Sequence, residues 1–331
     1  MMKTVQLSHG SGGEEMGMLV EKLFYRYFSN DILLKAEDAA VLPMAGPVAF
    51  TTDSFTVSPL FFPGGNIGKL AVAGTVNDLA MVGAEPQYLS SSFVIEEGFS
   101  FEELTDIVKT MATELEKSGA QIVCGDTKVV PRGTLEGLII NTSGIGTIQY
   151  PGLSASNLQD GDAIIVSRNI GSHGSCILMA RDELRMESEL VSDCDTLWPR
   201  VRQLIDAGIT LHALRDATRG GLAAVLNEWC SASQVQINVA EEQIPVLDEV
   251  RGLCEIYGFE PYELANEGTM VIAVPQEHID KTLKVLRTFD NDACCIGQVC
   301  ASERHKVIVQ SPWGSSRYME MPRGELLPRI C

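Results

Sequence analysis

The chain has 331 residues, of which 45% are hydrophobic, and its 44 acidic residues against 25 basic ones give a formal net charge of −19. This length suits about two domains, and the apolar content excludes a disordered protein. The negative charge disfavours DNA or RNA as a partner, because a polyanion meets net repulsion. A nucleotide remains compatible with this charge, since carboxylates can hold its phosphates through Mg²⁺.

No signal-peptide pattern and no run of eighteen apolar residues occurs, so we expect a cytoplasmic protein without a membrane segment. The nine cysteines include no C-x-x-C pair, which favours free thiols over disulfides or a zinc site. The five histidines lack metal-binding spacing, which disfavours a histidine-based metal centre. One cysteine, Cys331, is the last residue of the sequence.

Runs of β-branched and aromatic residues predict three strands in the first half, over 47–52, 88–95 and 138–148. A helix is expected from Asn66 to Val82, and Ser100 with Glu103 forms the capping-box pattern of another helix. Residues 150–157 are rich in turn formers and predict a domain boundary. We therefore expect an N-terminal domain over residues 1–152.

Strands and helices alternate in the second half. The strands are predicted over 163–167, 235–239, 270–274, 293–300 and 306–310. The helices are predicted over 174–184, 219–231, 246–257 and 276–288. This alternation predicts an α/β (α+β) protein of two tandem mixed domains, the second over 153–318. Two prolines and a glycine predict an extended, mobile tail over 319–331.

The run Ser8 to Gly13 places three glycines in four positions, which leaves backbone amides free to wrap a phosphate. A flexible N-terminal segment is the open alternative. The candidate phosphate-binding residues are Gly10, Ser11, Gly12 and Gly13. The segment 64–70 resembles a P-loop only superficially, because its spacing is wrong and Leu70 replaces the Mg²⁺-binding hydroxyl. A Walker-type ATPase is therefore disfavoured.

Residues 70–81 contain a single charge, Asp78. A helix over this run is apolar around nearly its whole circumference, so we expect Asp78 to be partly buried and to need a cation. A surface aspartate, or one satisfied by local hydrogen bonds, is the alternative.

Three other aspartates stand at predicted strand or helix ends, where hard cations find oxygen ligands: Asp38, Asp53 and Asp216. Individually each is more commonly a cap or turn residue. For Asp216 that alternative is specific, because Asp216 or Thr218 could cap the helix that follows. The N-terminus of the same helix, with Gly220 and Gly221, would equally attract a phosphate.

Lys128 stands beside Asp126 in an otherwise apolar strand region, and a desolvated Lys128 could place positive charge on a phosphoryl or carbonyl oxygen. An ordinary ion pair with Asp126 is the alternative. Glu267 precedes a predicted strand and could be a general base, although a turn residue is the commoner role. The tail from Pro322 to Cys331 reaches at most about 33–36 Å, enough to deliver a reactive thiol into a site.

These motifs together resemble the HypE family of hydrogenase maturation factors, from Leu7 to Cys331. The motifs are His9-Gly10-Ser11-Gly12-Gly13, Thr52-Asp53-Ser54, Asn77-Asp78, Gly125-Asp126-Thr127-Lys128, Asp216-Ala217-Thr218-Arg219-Gly220-Gly221, Asn266-Glu267-Gly268 and Pro328-Arg329-Ile330-Cys331. The family belongs to the ATP-binding superfamily of aminoimidazole ribonucleotide synthetase and selenophosphate synthetase. The Pro-Arg-Ile-Cys ending separates it from those relatives.

The resemblance implies a homodimer whose N-terminal sheets pair, with ATP and Mg²⁺ near that interface. It assigns metal binding to Asp38, Asp53, Asp78 and Asp216. It assigns nucleotide binding to Gly10, Ser11, Gly12, Gly13, Asp38, Asp53, Asn77, Asp78, Asp126, Thr127, Thr218 and Arg219. The superfamily often carries paired aspartates where this chain has Glu37-Asp38, which leaves the role of Glu37 open.

The family activity is ATP-dependent dehydration of an S-carbamoyl group on the terminal cysteine to a thiocyanate, which supplies cyanide to the iron of nickel–iron hydrogenase. The resemblance implies that Cys331 carries this group and that Lys128 and Glu267 act on it. It also implies a carbamoyltransferase that loads Cys331 and an iron-bearing scaffold complex that receives cyanide. The alternatives are a small-molecule phosphotransferase or synthetase of the same superfamily and a non-catalytic metal-delivery protein.

Overall fold

The structure, a computed structural model, describes residues 4–11, 13–36, 39–181, 188–324, 327 and 330. Several residues singled out from the sequence therefore lie outside the described residues: Gly12, Glu37, Asp38, Pro328, Arg329 and Cys331. The first half has the strands β1 (Val48–Phe55), β2 (Phe61–Phe62), β3 (Gly65–Asn66), β4 (Ala84–Glu96), β5 (Gln121–Val130) and β6 (Leu138–Ile148). Its helices are α1 (Glu14–Leu19), α2 (Tyr25–Phe28), α3 (Ile67–Met81) and α4 (Phe101–Ser118).

Four of these strands form one sheet, in the order β1-β6-β4-β5, and within it only β4 and β5 run parallel. Burial alternates along β1 and β6, so one face of the sheet is covered and the other is exposed. Helix α3 packs on the covered face. On the exposed face Phe50 has 71% of its surface in solvent, beside Val48 and Thr52.

The two long helices of the first half begin at polar caps. The side chain of Asn66 accepts hydrogen bonds from the amides of Gly68 and Lys69 before α3, and that of Ser100 accepts from two amides of α4. Both helix starts predicted from the sequence are thus confirmed. Nearly every residue of α3 is buried, which agrees with its apolar circumference.

The second half folds around a seven-stranded sheet of order β13-β12-β9-β11-β7-β10-β8. Its strands are β7 (Ala163–Val166), β8 (Ala213–Asp216), β9 (Gln236–Ala240), β10 (Met270–Val274), β11 (Cys294–Cys300), β12 (Val307–Gln310) and β13 (Ser316–Tyr318). Its helices are α5 (Ser172–Ala180), α6 (Trp198–Asp206), α7 (Gly221–Ser233), α8 (Asp248–Tyr257) and α9 (Ile279–Leu286). The mixed α/β class is confirmed.

Most predicted elements are present with shifted ends. The helix expected over 174–184 begins earlier, as α5, and is described as ending at Ala180, with 182–187 outside the described residues. The sequence prediction missed α1, α2, α6, β2, β3, β8 and β13. The cysteines of the described part are free thiols, as expected. In the tail, 319–324 has no helix or strand and Leu327 is buried, while the extended, mobile tail stays a prediction.

Helix α3 joins the two halves. It contacts β1 and β6 of the first sheet and also β8 of the second. This packing brings Asp78, near the end of α3, towards Asp216 at the end of β8. Both residues line a cleft of about 600 Å³ between the halves, together with Thr51 and Arg215. The candidate site follows from this contact.

Candidate active site

Four carboxyl groups from separate elements meet where the two halves contact each other. We call Asp53, Asp78, Asp216 and Glu267 the acid cluster. Asp53 lies in β1, Asp78 in α3 and Asp216 at the end of β8, while Glu267 precedes β10. Strand pairing places Asp216 opposite Met270, three residues after Glu267. The sequence singled out all four residues, and the fold brings them together.

Like charge and burial together disfavour ionisation in the acid cluster. Burial raises the pKa of Asp216 to about 7, and the charges of Asp78 and Asp53 push it the same way. Burial also raises the pKa of Glu267 well above its ordinary value, and the nearby Asp216 and Asp193 add to the shift. The pKa of Asp53 is raised by burial and then by Asp78.

The acid cluster has too little positive charge nearby to balance its four carboxylates among the described residues. None of its four carboxylates takes part in a salt bridge there, and Oε1 of Glu267 is buried without a hydrogen-bond partner in the same residues. The exposed Arg219 lowers the pKa of Asp53 and Glu267 only partly. The hydroxyl of Thr51 donates to Oδ2 of Asp78 at 2.6 Å. A hard divalent cation fits this deficit of charge and this oxygen-rich donor set.

The carboxylates are nevertheless not arranged as a finished ligand set. Within the described ranges, no group of three His, Cys, Asp or Glu side chains could hold a metal ion as placed. Asp38, the remaining predicted ligand, lies outside them. The magnesium ligands therefore stay a prediction.

The loop of Glu267 is fixed by Asp193, a residue that the sequence analysis missed. The carboxylate of Asp193 accepts hydrogen bonds from the amides of Glu267 at 3.1 Å and Gly268 at 3.0 Å, and from the hydroxyl of Thr269 at 2.8 Å. A side chain at Gly268 would overlap the carbonyl oxygen of Asp193. Hydrogen bonds and close packing thus fix the loop of Glu267, while its role as a general base stays a prediction.

Asn77 also supports this loop. Its amide nitrogen donates to the carbonyl oxygens of Asp195 at 3.1 Å and Glu267 at 3.4 Å, and its oxygen accepts from the amide of Leu197 at 2.7 Å. The side chain is buried, so its polar atoms are already used by the protein. The geometry favours a positioning role, while the predicted contact of Asn77 with the nucleotide stays a prediction.

Helix α7 is not capped by either of the two residues considered from the sequence. The N-cap of α7 is Gly220, at φ 76°, and no side chain caps the helix, so neither Asp216 nor Thr218 serves as its cap. Thr218 is half-buried and Arg219 is exposed. The exposed guanidinium next to the acid cluster remains available to a ligand.

A second group of candidate residues lies along β5. We call Gly10, Ser11, Asp126 and Lys128 the lysine edge. The 3₁₀ turn that ends at Gly10 packs so closely on β5 that a side chain at Gly10 would overlap the amide of Val129. Nζ of Lys128 lies 2.9 Å from the carboxylate of Asp126 and is largely exposed. The prediction of a desolvated Lys128 is therefore wrong for the single chain, in which Lys128 forms an ordinary ion pair with Asp126.

Thr127 points to the other side of β5, where it is buried. Together with Asp126 it lines a cavity of about 280 Å³ whose other wall is formed by apolar residues of the N-terminal helices, including Val20, Phe24 and Phe28. The lining includes Ala39 and Ala40, the neighbours of Asp38 in sequence. Volume and lining suit an apolar ring system with polar groups at one end.

The acid cluster and the lysine edge are separated within one chain. Strands β1 and β5 form opposite edges of the four-stranded sheet, which at the usual strand spacing places them about 14 Å apart. Their side chains also point to opposite faces, because Thr51 bonds to Asp78 of α3 while Lys128 is exposed on the open side. The structure does not bring Lys128 and Glu267 together in one copy of the chain.

The comparisons with known proteins bear on what this arrangement serves. Models of the AIR synthase related proteins match the chain twice, the N-terminal domain over 36–148 and the C-terminal domain over 159–310. The carbamoyl dehydratase HypE of Escherichia coli (strain K12) is 44% identical over 339 aligned positions, which cover 100% of both chains. The chain belongs to the HypE family.

Solved HypE structures extend this similarity to the whole fold. A HypE bound to ATP superposes with a TM-score of 0.95 at 42% identity, covering 99% of this chain and 100% of that one. A HypE in complex with HypF gives 0.80 at 43% identity, covering 92% and 99%. None of the described helices is long and apolar enough to cross a membrane.

Membership of the HypE family directs attention to the chain terminus, where the described residues are Leu327 and Ile330. Leu327 is buried among apolar residues of α5 and α8. The carbonyl oxygen of Ile330 lies 2.6 Å from Nε2 of His173, a fully buried histidine that the sequence analysis did not single out. Only a signal of long-range contact could have found this pair, since 157 positions separate the two residues.

Proposed function

We propose that this chain catalyses the ATP-dependent dehydration of an S-carbamoyl group on Cys331 to an S-thiocyanate, which supplies cyanide for the iron of nickel–iron hydrogenase. The observation that carries the proposal is Glu267, a rigidly held and buried carboxyl group with an unpartnered oxygen. Full-length similarity to relatives named carbamoyl dehydratase supports the same activity.

The reaction removes one oxygen and two hydrogens from the carbamoyl group, and the oxygen leaves as part of inorganic phosphate while ATP becomes ADP. Bound ATP with Mg²⁺ supplies the phosphoryl group that makes the oxygen a leaving group. One N–H proton is released to solvent when the oxygen is phosphorylated, and Glu267 takes the second proton from the nitrogen as the phosphate departs. Its raised pKa suits this role, because a carboxylate of raised pKa is a stronger base.

The acid cluster would hold the metal. Asp53, Asp78 and Asp216 supply oxygen ligands, and Asp38 completes the set. A divalent cation relieves the mutual repulsion that raises the pKa of Asp53 and Asp216. Arg219, next to the same carboxylates, and Thr218 contact the phosphates.

The lysine edge would act from a second copy of the chain. We infer a homodimer that pairs the open faces of the two four-stranded sheets, because Phe50 leaves an apolar group of that face in water. Pairing can bring Lys128 of one copy towards Glu267 of the other, where it neutralises the transferred phosphoryl group. Gly10, Ser11, Gly12 and Gly13 contact the phosphates, and Asp126 and Thr127 adjoin the cavity that accepts the adenine ring.

The proposed partners follow from the chemistry at Cys331. A carbamoyltransferase loads the cysteine, and the complex of a relative with HypF supports this partner. An iron-bearing scaffold complex receives the cyanide when the thiolate of Cys331 leaves. We place both exchanges in the cytoplasm.

Mass spectrometry of the C-terminal peptide tests the proposal. Protein carbamoylated on Cys331 should lose the mass of one water after addition of MgATP, with stoichiometric ADP, and Cys331→Ala should accept no carbamoyl group while still binding ATP. ATP turnover without this change would support the small-molecule phosphotransferase instead. Loading without any nucleotide consumption would support the metal-delivery protein.

A further inference from the structure

His173 links the C-terminal segment to the interior through a directed chain of hydrogen bonds. Its Nε2 lies 2.6 Å from the carbonyl oxygen of Ile330, and its Nδ1 lies 2.7 Å from Oγ of Ser192. Ser192 Oγ in turn accepts from the amide of Cys194 at 3.1 Å. Because the carbonyl oxygen can only accept, Nε2 of His173 carries the proton and donates it.

Burial keeps this ring neutral. The pKa of His173 is lowered chiefly by burial, against which the carbonyl of Ile330 and the charge of Asp193 act in the opposite direction. A neutral ring protonated on Nε2 accepts at Nδ1, so the hydroxyl of Ser192 donates to it. The edge-to-face contact with Phe62 at 5.4 Å also fixes the plane of the ring. His173 is thus oriented to donate to one backbone position of the tail.

Apolar packing holds the same segment. Leu327 is buried in a cluster with Leu178 and Val250, and Ile330 packs against the edge of this cluster and of the main core. The tail therefore docks through two apolar side chains and one buried hydrogen bond. A hydrophobic contact alone would let the segment slide, whereas the bond from His173 to Ile330 sets its position along the chain.

The docking point is connected to the loop of Glu267. Ser192, which orients His173, precedes Asp193, whose carboxylate binds the amides of Glu267 and Gly268. One short segment therefore positions both the residue before Cys331 and the proposed base. This shared support would keep the two reacting partners in a fixed relation.

We propose that His173 is a positioning residue that docks the C-terminal segment at Ile330, so that the group on Cys331 is presented to the base Glu267. The inference rests on the proposed function for what the docked tail does, but the docking itself does not. His173 touches neither the nucleotide nor the carbamoyl group. Its effect is on the fraction of time that the tail is docked.

The experiment measures docking and chemistry separately in the full-length protein. Docking is read from the rate at which a maleimide alkylates Cys331, followed on the C-terminal peptide by mass spectrometry. Chemistry is read from a single turnover of carbamoylated protein with MgATP. His173→Leu should lower the docking equilibrium constant roughly tenfold, because a buried hydrogen bond is lost. The alkylation rate should rise and dehydration should slow, by factors whose product is about ten. ATP affinity should stay unchanged.

Matched variants separate docking from general damage to the fold. His173→Gln retains an N–H donor and should restore much of both rates, whereas His278→Gln, at a histidine that only accepts from the Thr210 amide, should match the parent protein. Leu327→Ala loosens the tail by removing its apolar contact and leaves His173 in place, so it covers the case in which His173→Leu does not fold. Equal alkylation rates in the parent, His173→Leu and Leu327→Ala would overturn the inference. Tail docking without dehydration in the parent would instead refute the proposed function alone.

Discussion

The acid cluster and the lysine edge differ in the burial and in the ion pairing of their charged side chains. In the acid cluster Asp216 and Glu267 are buried and Asp53 and Asp78 are half-buried. The carboxylates repel one another, and none forms a salt bridge among the described residues. The lysine edge is exposed, and its Lys128 already has a carboxylate partner, Asp126, whose pKa it lowers. A folded protein keeps an unpaired buried group such as Glu267 at a cost in stability.

This difference indicates which half of the site is committed to ligands. A bound cation reduces the repulsion between the carboxylates of the acid cluster. The free energy gained in this way stabilises the folded protein and favours cation binding. The lysine edge gains little from any partner within its own chain, because an exposed ion pair is worth about 1 kcal/mol or less. Lys128 becomes effective only if a second surface removes it from water.

The largest effect is expected from Glu267→Gln. This variant tests whether the buried, unpartnered carboxyl group that destabilises the fold is needed for dehydration. Single-turnover dehydration should fall by about 10²–10⁴-fold, since a proton acceptor is lost. The free energy of unfolding should rise at neutral pH, because burial and the nearby acids raise the pKa of Glu267 and make its ionisation costly. Denaturant unfolding measures the second change.

Glu114→Gln is the matched control for this variant. Glu114 is as buried as Glu267, but its carboxylate bonds to Lys117 and to the amide of Thr196, both at 2.8 Å. Its removal should therefore lower the stability. If both variants shift stability in the same direction, the contrast between paired and unpaired acids is wrong.

The pH dependence of stability provides the second test. The pKa of Asp216 is 3.8 unfolded and about 7 folded, so between these values the folded chain holds a proton that the unfolded chain has lost. The free energy of unfolding therefore falls as pH rises from about 4 to 7, by at most about 4 kcal/mol. Below pH 3.8 the group has no effect on stability, and above 7 its cost is complete.

Urea unfolding in EDTA at pH 5 and pH 7.5 measures this slope. The parent should lose more stability over the interval than Asp216→Asn, and Mg²⁺ at pH 7.5 should restore part of the loss. Asp206→Asn, at an exposed aspartate, serves as the control and should retain the slope of the parent. A parent slope that is unaffected by Asp216→Asn would remove the electrostatic argument for a metal.

How far the sequence predicts this site depends on the range of the interactions. The burial of Asp78 followed from the apolar surroundings of α3, which are local in sequence. Helix α6, which begins at Trp198 and Pro199, was missed because its packing comes from other parts of the chain. Asp193 and His173 were missed for the same reason, since their partners Glu267 and Ile330 lie far away in sequence.

Lys128 shows the opposite failure. The apolar residues around it in sequence predicted a desolvated amine, but alternate residues of a strand point to opposite faces, and Lys128 is on the open one. Burial along a strand cannot be assigned without knowing what covers each face. For the open face of the four-stranded sheet, the proposed homodimer would supply that cover.

The third test concerns Lys128 of the exposed lysine edge. Lys128→Met should slow dehydration by roughly 10²-fold, because a charge on the transferred phosphoryl group is lost. Its stability should change by less than about 1 kcal/mol. Lys109→Met is the matched control, since Lys109 is similarly exposed and paired with Asp106 at 3.1 Å, and it should leave the rate unchanged.

Mixing two inactive variants shows whether Lys128 of one subunit acts together with Glu267 of the other subunit. Subunits carrying Lys128→Met and Glu267→Gln, combined in one dimer, should recover part of the activity if one intact site forms from the two unmutated halves. Failure of the mixture, with exchange of subunits verified by mass, would place both residues in one copy and contradict the separation argued above.

The smallest effect on dehydration is expected at Asn77, whose side chain supports the loop of Glu267 through hydrogen bonds to backbone atoms. Asn77→Ala leaves the amide of Leu197 and two carbonyl oxygens without this partner, so the free energy of unfolding should fall by about 1–3 kcal/mol. Dehydration should slow modestly as the loop of Glu267 loosens, with ATP affinity by calorimetry within twofold of the parent. Asn227→Ala, which removes two bonds to carbonyl oxygens elsewhere, controls for the general loss of stability. Weakened ATP binding at Asn77→Ala, absent from Asn227→Ala, would show instead that Asn77 contacts the nucleotide and that the acid cluster extends to it.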